Sequence, residues 1–337
     1  MIDISNQETL MQYLLDKGHV KPDDTCSITY LGGGVSGTVA FLRAGGREMI
    51  VKQALAKLKV AEEWLCDPSR MYIEMKSNEI YHRLVPDNAP AVYFYDHDNY
   101  IFGREAAPEH AVMWKSNLMS GLLDFEVAEK VMRSLVVVHN ECAKDKDVAE
   151  IFGDKTIFYE LRISPYIKFI LQKHPRLEGF AAPIIDELMS SQITLVHGDY
   201  SPKNVMLEGR KVYITDFEVA HYGHPSFDIA FLSNHLVLKA LHNRRFGASA
   251  YLSMLRYILD VYFGEMDYMD KSALETSFVK LLPLLMIARV DGKSPVEYII
   301  DPAEKEIVRG IAYAIIEGGI TTREDMLKLV QKKIDKI

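Results

Sequence analysis

The sequence predicts an α+β protein with two lobes, a small β-rich N-terminal lobe and a larger, mostly helical C-terminal lobe. Short apolar runs broken by glycine-rich turns dominate the first hundred residues, a pattern typical of antiparallel strands. After residue 105, long segments with a 3.6-residue apolar period take over, a pattern typical of helices. We therefore predict an N-terminal lobe over residues 1–104 and a C-terminal lobe over residues 105–337, with a hinge at 104–107.

The N-terminal lobe is predicted to begin with a short helix in "NQETLMQYLLDKG", which ends at Gly18. Three strands follow, at 28–31, 38–42 and 49–51, and Gly45-Gly46 supplies the turn between the last two. A helix over about 69–84 and strands near 91–95 and 100–104 complete the predicted lobe.

In the C-terminal lobe the apolar period predicts helices at 123–140, 165–173, 182–190, 227–241, 248–263, 275–288, 303–317 and 323–337. Asp301 with Pro302 is typical of a helix start, and Thr321 with Glu324 resembles a capping box for the last helix. Strands are predicted only at 194–197, 205–207 and 212–215, where they frame one polar stretch.

The composition limits the classes of function. A formal net charge of −8 argues against non-specific binding to nucleic acid or to an anionic membrane, since both require a basic face. The three cysteines are widely spaced and predict neither a disulfide framework nor a metal cluster. With no basic leader and no long apolar run, we expect a soluble, cytoplasmic protein. The sequence leaves open whether it forms a homodimer.

A glycine cluster, "LGGGVSGTVAF", lies between the first two predicted strands. Glycines let the backbone approach a ligand closely and point N–H groups at phosphate oxygens. Taken alone, such a cluster is more often a flexible hairpin turn. It is not a Walker loop, because no Gly-Lys-Ser/Thr follows it. The candidate phosphate-contacting residues are Gly33, Gly34, Val35, Ser36 and Gly37.

Lys52 lies in the apolar strand "MIVKQA", where a charge needs a partner or a cleft. In kinases, a strand lysine holds the α- and β-phosphates and is fixed by an acid from the next helix. That helix offers Glu74 and Glu79, and spacing does not choose between them. The alternative is a solvated lysine on an edge strand.

The polar stretch "VHGDYSPKNVMLEGRKVYITDFE" carries the strongest motif. His-x-Asp-x₄-Asn followed by Asp-x-Glu matches the order of a kinase catalytic loop and its metal-binding aspartate. Asp199 would orient an acceptor hydroxyl and take its proton late. Asn204 and Asp216 would supply the oxygen ligands that Mg²⁺ prefers, with Glu218 as a further ligand. His197 is predicted to bond the loop backbone.

Only 12 residues separate Asp216 from Asp228, which opens the next helix. Protein kinases have a long activation segment at this place, ending in Ala-Pro-Glu, and this chain has none. A small-molecule acceptor is therefore favoured over a polypeptide. Asp228 is predicted to cap the helix or anchor the catalytic loop.

These motifs resemble the aminoglycoside phosphotransferase/choline kinase superfamily, and "MIVKQAL", "SRMYIE" and "HLVLKAL" are similar to segments of 5-methylthioribose kinases. The resemblance implies a protein-kinase-like two-lobe fold with ATP and Mg²⁺ as cofactors. It matches Glu74 to the helix glutamate. It also matches Arg104, Glu105 and Ala106 to the adenine hinge, and places Ser201 and Lys203 with Asp199 as catalytic residues.

The implied acceptor is a small molecule with a hydroxyl group, such as a sugar, an amino sugar or an amino alcohol, and a methylthioribose-like sugar is the leading candidate. Arg289 and Asp291 match the acceptor region of the methylthioribose kinases, although salt bridging at a helix end is an equal alternative. An aminoglycoside or choline/ethanolamine-type kinase, and a nucleotide-binding protein without turnover, are the alternative functions.

Overall fold

The apolar runs of the first hundred residues form a five-stranded antiparallel sheet. Its strands are β1 (Cys26–Tyr30), β2 (Gly37–Ala44), β3 (Arg47–Ala54), β4 (Val92–Asp96) and β5 (Ile101–Glu105), in the order β1-β2-β3-β5-β4. Lys52 of β3 lies opposite Val39 on one side and Phe102 on the other. Lys52 is therefore on the central strand, and the alternative of a solvated edge-strand lysine is wrong.

The computed structural model describes residues 2–32, 37–54 and 67–336. The chain divides into a first unit, Met1–Ala111 with Leu207–Glu218, and a second unit, Val112–Met206 with Val219–Ile337. Asp216 and Glu218 thus share a unit with Lys52, whereas Asp199 and Asn204 belong to the other. The lobe boundary at residue 104 stays a prediction.

Two helices pack with the sheet in the first unit. Helix α1 (Gln7–Asp16) begins at Asn6, whose side chain accepts a hydrogen bond from the backbone N–H of Thr9. Its Leu10 and Leu14 are buried in one apolar core with residues of β2, β3 and β5. Helix α2 (Arg70–Leu84) follows the second gap in the described residues.

The second unit is mostly helical. Its helices are α3 (Trp114–Met119), α4 (Phe125–Cys142), α5 (Lys146–Ile151), α6 (Thr156–Phe158), α7 (Phe169–Lys173), α8 (Glu178–Ser190), α9 (Ser226–His242), α10 (Arg244–Glu265), α11 (Lys271–Asp291), α12 (Pro302–Glu317) and α13 (Arg323–Ile334). A π-helix covers Tyr159–Lys168, and 3₁₀ turns cover Pro175–Leu177 and Pro202–Asn204. The remaining strands are β6 (Val112–Met113), β7 (Thr194–Val196), β8 (Val205–Glu208), β9 (Lys211–Ile214) and β10 (His221–Gly223).

The predicted α+β class is confirmed, and most element bounds agree within a few residues. The predicted cap of the last helix is wrong by one position, because Thr322 accepts from the N–H of Asp325 at 3.2 Å. The helix predicted from residue 165 begins earlier, since the π-helix runs through Pro165. Pro165 has no N–H to donate, so the regular hydrogen-bond pattern of an α-helix is interrupted there. None of the described helices is both long and apolar enough to cross a membrane.

The loop that carries Asp199 follows a short antiparallel pair of strands, with Val196 of β7 opposite His221 of β10. Gly198 has a φ of 76°, in the left-handed region. A Cβ at this position would lie 2.5 Å from the carbonyl oxygen of Val219. Only glycine therefore fits where the loop leaves the strand.

We expect Gly198→Ala to lower the free energy of unfolding by about 3 kcal/mol, because left-handed strain adds to overpacking against backbone. Gly121→Ala is the matched control, since Gly121 has a φ of 81° and a Cβ added there would meet no atom within 4 Å. The control should lose only about 1 kcal/mol. Urea denaturation of both variants measures the difference, and equal losses would contradict the close approach to Val219.

Candidate active site

Lys52 is the centre of a buried cluster in the first unit. Its Nζ lies 2.7 Å from Glu74 Oε1 and 2.7 Å from Asp216 Oδ1. Glu79, the other candidate partner, is exposed and pairs with Lys76 at 2.9 Å. The choice that spacing left open therefore falls on Glu74, because it lies on the buried face of α2.

The charges of this cluster depend on one another. Burial lowers the pKa of Lys52, but the carboxylates of Asp216, Glu74 and Glu218 outweigh burial and raise it above the ordinary value. Burial raises the pKa of Glu74, and Asp216 and Glu218 raise it further against the opposing effect of Lys52. Lys52 is thus held firmly as an ammonium, while Glu74 lies in a field with more carboxylates than Lys52 alone compensates.

A second buried cation, Arg70, contributes to the same cluster. Its Nε lies 3.3 Å from Glu218 Oε2, and the arginine is fully buried at the start of α2. Among the described residues these three carboxylates face Lys52 and Arg70, and Arg104 also interacts electrostatically with Glu74 and Asp216. Within the described residues Glu74 Oε2 is buried without a hydrogen-bond partner. Clustered carboxylate oxygens of this kind are suited to a divalent cation.

These oxygens fit Mg²⁺. The ion is usually held by one or two carboxylates and completed by phosphate oxygens and water. No set of three or more metal-ligating His, Cys, Asp or Glu side chains is arranged around one point in the described residues. Asp216 and Glu218 are the residues of this cluster that could supply carboxylate oxygens to such an ion.

Asp216 has an unusual backbone conformation. Its φ is 72°, and among the described non-glycine residues only Tyr100 shares a positive φ. Aspartate tolerates this region better than most residues, but the conformation still costs about 1 kcal/mol or more. Such strain is often found at functional sites, and here it accompanies the bond to Lys52.

In the second unit, Asp199 is 4% exposed and held by two cations. Its Oδ2 lies 3.1 Å from Arg162 Nη2 and 3.0 Å from Lys203 Nζ. The Asn204 side chain donates to the backbone carbonyl of Asp199 at 2.9 Å and closes the loop. His197 Nδ1 accepts from the Asp199 N–H at 3.2 Å, which matches its predicted role as a loop-shaping residue.

Asp228 anchors this loop from the first turn of α9. Its fully buried carboxylate accepts from the backbone N–H of His197 at 2.7 Å and of Gly198 at 2.9 Å. His139 Nε2 lies 3.4 Å from the same carboxylate. A carboxylate that binds backbone N–H groups fixes the course of the chain directly. The position of Asp199 therefore depends on Asp228.

The other predicted nucleotide contacts lie in the first unit. Gly33, Gly34, Val35 and Ser36 lie outside the described residues. Gly37 begins β2, and a Cβ there would lie 2.6 Å from the carbonyl oxygen of Gln53. At the end of β5, Arg104 donates to the carbonyl oxygen of Glu105 at 2.9 Å, and Ala106 is buried. Their contact with adenine stays a prediction.

The remaining predicted residues lie in the second unit. Ser201 is buried, and its Oγ has no hydrogen-bond partner among the described residues, so it is available for a ligand. Arg289 Nη1 donates to Tyr166 Oη at 3.1 Å. Asp291 accepts from Arg309 at 2.7 and 2.8 Å and lies 2.8 Å from His174. The predicted acceptor contact of Asp291 stays a prediction, although its oxygens are already engaged.

Sequence reasoning missed two arginines. Arg162 donates from Nε to the carbonyl oxygen of Gly198 at 2.7 Å and also pairs with Asp199. A lone cation within the apolar segment "ELRISPY" was the available signal, the same signal that singled out Lys52. Arg70 lies at the start of a predicted helix, where a basic residue carries no such signal.

Comparison with known proteins agrees with this geometry. A model of the phosphotransferase enzyme family matches residues 157–253, which include Arg162, Asp199, Asn204 and Asp216. Over these residues the chain is similar to this family. A methylthioribose kinase of Bacillus cereus is 25% identical over 260 residues, covering 69% of this chain and 66% of that protein. The match thus spans just under two thirds of the relative's length.

Two solved structures share the fold. A choline/ethanolamine kinase family protein from Mesorhizobium loti has a TM-score of 0.51 at 16% identity, over 96% of this chain and 99% of that one. An amicoumacin kinase has a TM-score of 0.56 at 16% identity, over 94% and 96% of the two chains. The predicted protein-kinase-like fold is therefore confirmed.

We expect Glu74→Gln to weaken the binding of Mg·ATP by at least about tenfold, because the neutral amide no longer fixes the Lys52 ammonium. Glu79→Gln is the matched control on the exposed face of the same helix and should change the affinity by less than about twofold. Isothermal titration with Mg·ATP measures both and requires no acceptor. Equal affinities in the two variants would contradict the assigned role of Glu74.

Proposed function

We propose that the protein is a small-molecule kinase that transfers the γ-phosphoryl group of ATP, with Mg²⁺, to a hydroxyl of a sugar, an amino sugar or an amino alcohol. The observation that carries the proposal is the position of Lys52 Nζ, 2.7 Å from both Glu74 and Asp216. A kinase lysine is held in this way between a helix glutamate and the metal-binding aspartate. The amicoumacin kinase of the same fold was solved with AMP-PNP and Ca²⁺, which supports a nucleotide and a divalent cation here.

Each residue then has a stated role. Lys52 binds the phosphates of the nucleotide, and Asp216, Glu218 and Asn204 are the proposed metal ligands. When bound, Mg²⁺ neutralises charge on the phosphate oxygens. Glu74 and Arg70 keep Lys52 and Glu218 in fixed positions through the contacts given above. Because these groups are buried and already paired, they need little rearrangement when the nucleotide binds.

Asp199 orients the acceptor hydroxyl. The bond that forms joins the acceptor oxygen to the γ-phosphorus, and the bond that breaks joins that phosphorus to the β,γ-bridging oxygen, so ADP leaves. The hydroxyl proton passes to Asp199 and then to solvent. Arg162 and Lys203 stabilise the negative charge of Asp199, which makes it a weak base. A weak base suits a loose transition state, in which the proton leaves late.

We also propose which hydroxyl compound is the acceptor. A methylthioribose-like sugar is the leading candidate, since the Bacillus cereus relative is a methylthioribose kinase. An aminoglycoside or choline/ethanolamine-type acceptor is the alternative within the same reaction class. We further propose that the protein is cytoplasmic and binds neither nucleic acid nor membrane, in keeping with its charge of −8.

We expect Asp199→Asn to lower kcat by about 10²–10⁴-fold, because the amide cannot accept the hydroxyl proton. The affinity for Mg·ATP should stay within about twofold of the wild-type value, since the nucleotide roles lie with other residues. The measurement is ATP consumption over a panel of methylthioribose, choline, ethanolamine, homoserine, fructosamines and aminoglycosides.

Asp186→Asn is the control for this experiment, because it makes the same chemical change at an exposed position of α8. Full turnover by Asp199→Asn with the best acceptor would overturn the assigned mechanism. Tight Mg·ATP binding without turnover of any acceptor would instead favour the alternative of a binding protein without catalysis.

A further inference from the structure

A group of cationic side chains extends from Asp199 through the second unit. Arg162, which pairs with Asp199, has its guanidinium carbon 5.7 Å from the ring centres of both Tyr166 and Phe231. Arg289 has its guanidinium carbon 5.7 Å from the same Tyr166 ring and donates to its hydroxyl oxygen at 3.1 Å. The two arginines thus share one buried tyrosine, next to the proposed catalytic carboxylate.

Helix α9 continues the group on one face. The Phe231 ring lies 5.3 Å from His235, and one turn further is Lys239. Lys239 is fully buried, with its Nζ 3.5 Å from Tyr298 Oη and 5.1 Å from the centre of that ring. We call Arg162, Lys203, Arg289, Lys239 and Lys115, with His235, the cationic cluster.

Among the described residues, two carboxylates form ion pairs with members of this cluster. Asp199 pairs with Arg162 and Lys203, and Glu297 pairs with Lys115. Among the described residues neither Arg289 nor Lys239 forms an ion pair. Arg289 is only 9% exposed, and within the described part of the chain its Nε is buried without a hydrogen-bond acceptor.

The pKa values of three titratable groups in or beside the cluster are shifted by burial and by the neighbouring cations. Burial lowers the pKa of Lys239 to about 7, and Lys115 and Arg289 lower it further against the effect of Glu297. Burial and the neighbouring cations also lower the pKa of His235 well below its ordinary range. Burial raises the pKa of Tyr166, yet Arg289 and Arg162 more than reverse that effect and lower it. The lowered pKa of Tyr166 requires neighbouring positive charge, whereas burial is the main cause for Lys239 and His235 and the cations add to it.

An uncompensated buried cation destabilises a folded protein, and apolar residues of similar volume would be more stable in its place. Lys239 and Arg289 are therefore costly for the fold unless a ligand supplies the missing negative charge. Arg289 contacts Tyr166, Tyr166 contacts Arg162, and Arg162 pairs with Asp199. The ligand that supplies the negative charge is therefore the acceptor, whose hydroxyl Asp199 orients.

We propose that the acceptor carries an anionic group, a carboxylate or a phosphate, that binds to Arg289 and Lys239 while its hydroxyl faces Asp199. This inference rests on the proposed function and narrows its substrate class to anionic acceptors, so the neutral methylthioribose-like sugar is no longer the leading candidate. The planar guanidinium of Arg289 suits the paired oxygens of either anion. Cationic acceptors such as aminoglycosides and choline are disfavoured, because they would add positive charge to a field that is already positive.

The test compares acceptors in pairs that differ by one anionic group: D-glycerate with glycerol, D-gluconate with D-glucitol, and ribose 5-phosphate with ribose. Binding is measured by isothermal titration in the presence of Mg·ADP, and turnover by ATP consumption. We expect the anionic member of at least one pair to bind, and to exceed its neutral partner at least about tenfold in kcat/KM. The first two pairs test for a carboxylate, and the third tests for a phosphate.

Lys239→Met should raise KM for the preferred anionic acceptor at least about tenfold, with a smaller effect on its neutral partner, and Lys239→Arg should restore part of the affinity. Lys280→Gln, an exposed position on α11, is the control and should change neither value.

Lys239→Met should also raise the thermal stability of the unliganded protein. Because the pKa of Lys239 in the folded state lies below that in the unfolded state, the wild-type protein gains stability as the pH rises from about 7 to about 10.5. The advantage of the methionine variant should therefore be largest below about pH 7 and decline above it. The comparison leaves unchanged the charged and titratable groups that face Lys239, namely Lys115, Arg289, Glu297, Tyr298 and His235.

The outcomes separate the two proposals. Turnover of neutral or cationic acceptors only, with KM unaffected by Lys239→Met, would overturn the anionic-acceptor inference and leave the kinase function standing. Binding of an anionic probe that Lys239→Met abolishes, without phosphorylation of any acceptor, would support the anion site while the proposed function fails. Displacement of the bound anion by Mg·ATP would assign the cluster to nucleotide phosphates and overturn the inference.

Discussion

The first unit depends on one buried interaction, the Lys52 ammonium between the carboxylates of Glu74 and Asp216. A charge on a central strand is tolerated only when it is paired, so the sheet and α2 can pack together only if the acids are in place. The pairing does more than neutralise Lys52. Together with Glu218 it brings three carboxylates close together, an arrangement that suits a divalent metal.

The second unit uses a buried carboxylate in a different way. Asp228 binds two backbone N–H groups and so fixes the loop itself, whereas Lys52 and Glu74 meet through flexible side chains. One of these N–H groups belongs to Gly198. The backbone can adopt its left-handed conformation beside Val219 only because Gly198 lacks a Cβ. Asp199 is therefore positioned by backbone geometry first, and the salt bridges from Arg162 and Lys203 then orient its side chain.

The sequence predicted what local pattern controls. Apolar periodicity identified the sheet and most helices, and the order of polar residues singled out Lys52, Asp199 and Asp216. Spacing could not decide between Glu74 and Glu79, because only tertiary burial distinguishes two glutamates on one helix. The role of Arg162 was missed since a π-helix breaks the regular period around it. Net charge could not reveal the cationic cluster, because its members are scattered along the chain from residue 115 to residue 289 and come together only in the fold.

Among the described residues, carboxylates thus cluster around Asp216 in one unit, and cations cluster around Lys239 in the other. Neither cluster helps the unliganded fold where its charge is uncompensated, because uncompensated buried charge opposes folding whatever its sign. Each is relieved by a ligand of complementary charge, and binding to the folded state alone then returns the lost stability by mass action. A metal–nucleotide complex satisfies the negative cluster through its cation, and an anionic acceptor satisfies the positive one. The same physical argument that identifies the metal ligands therefore also limits the acceptor, because a neutral sugar would leave Lys239 and Arg289 as uncompensated as they are without it.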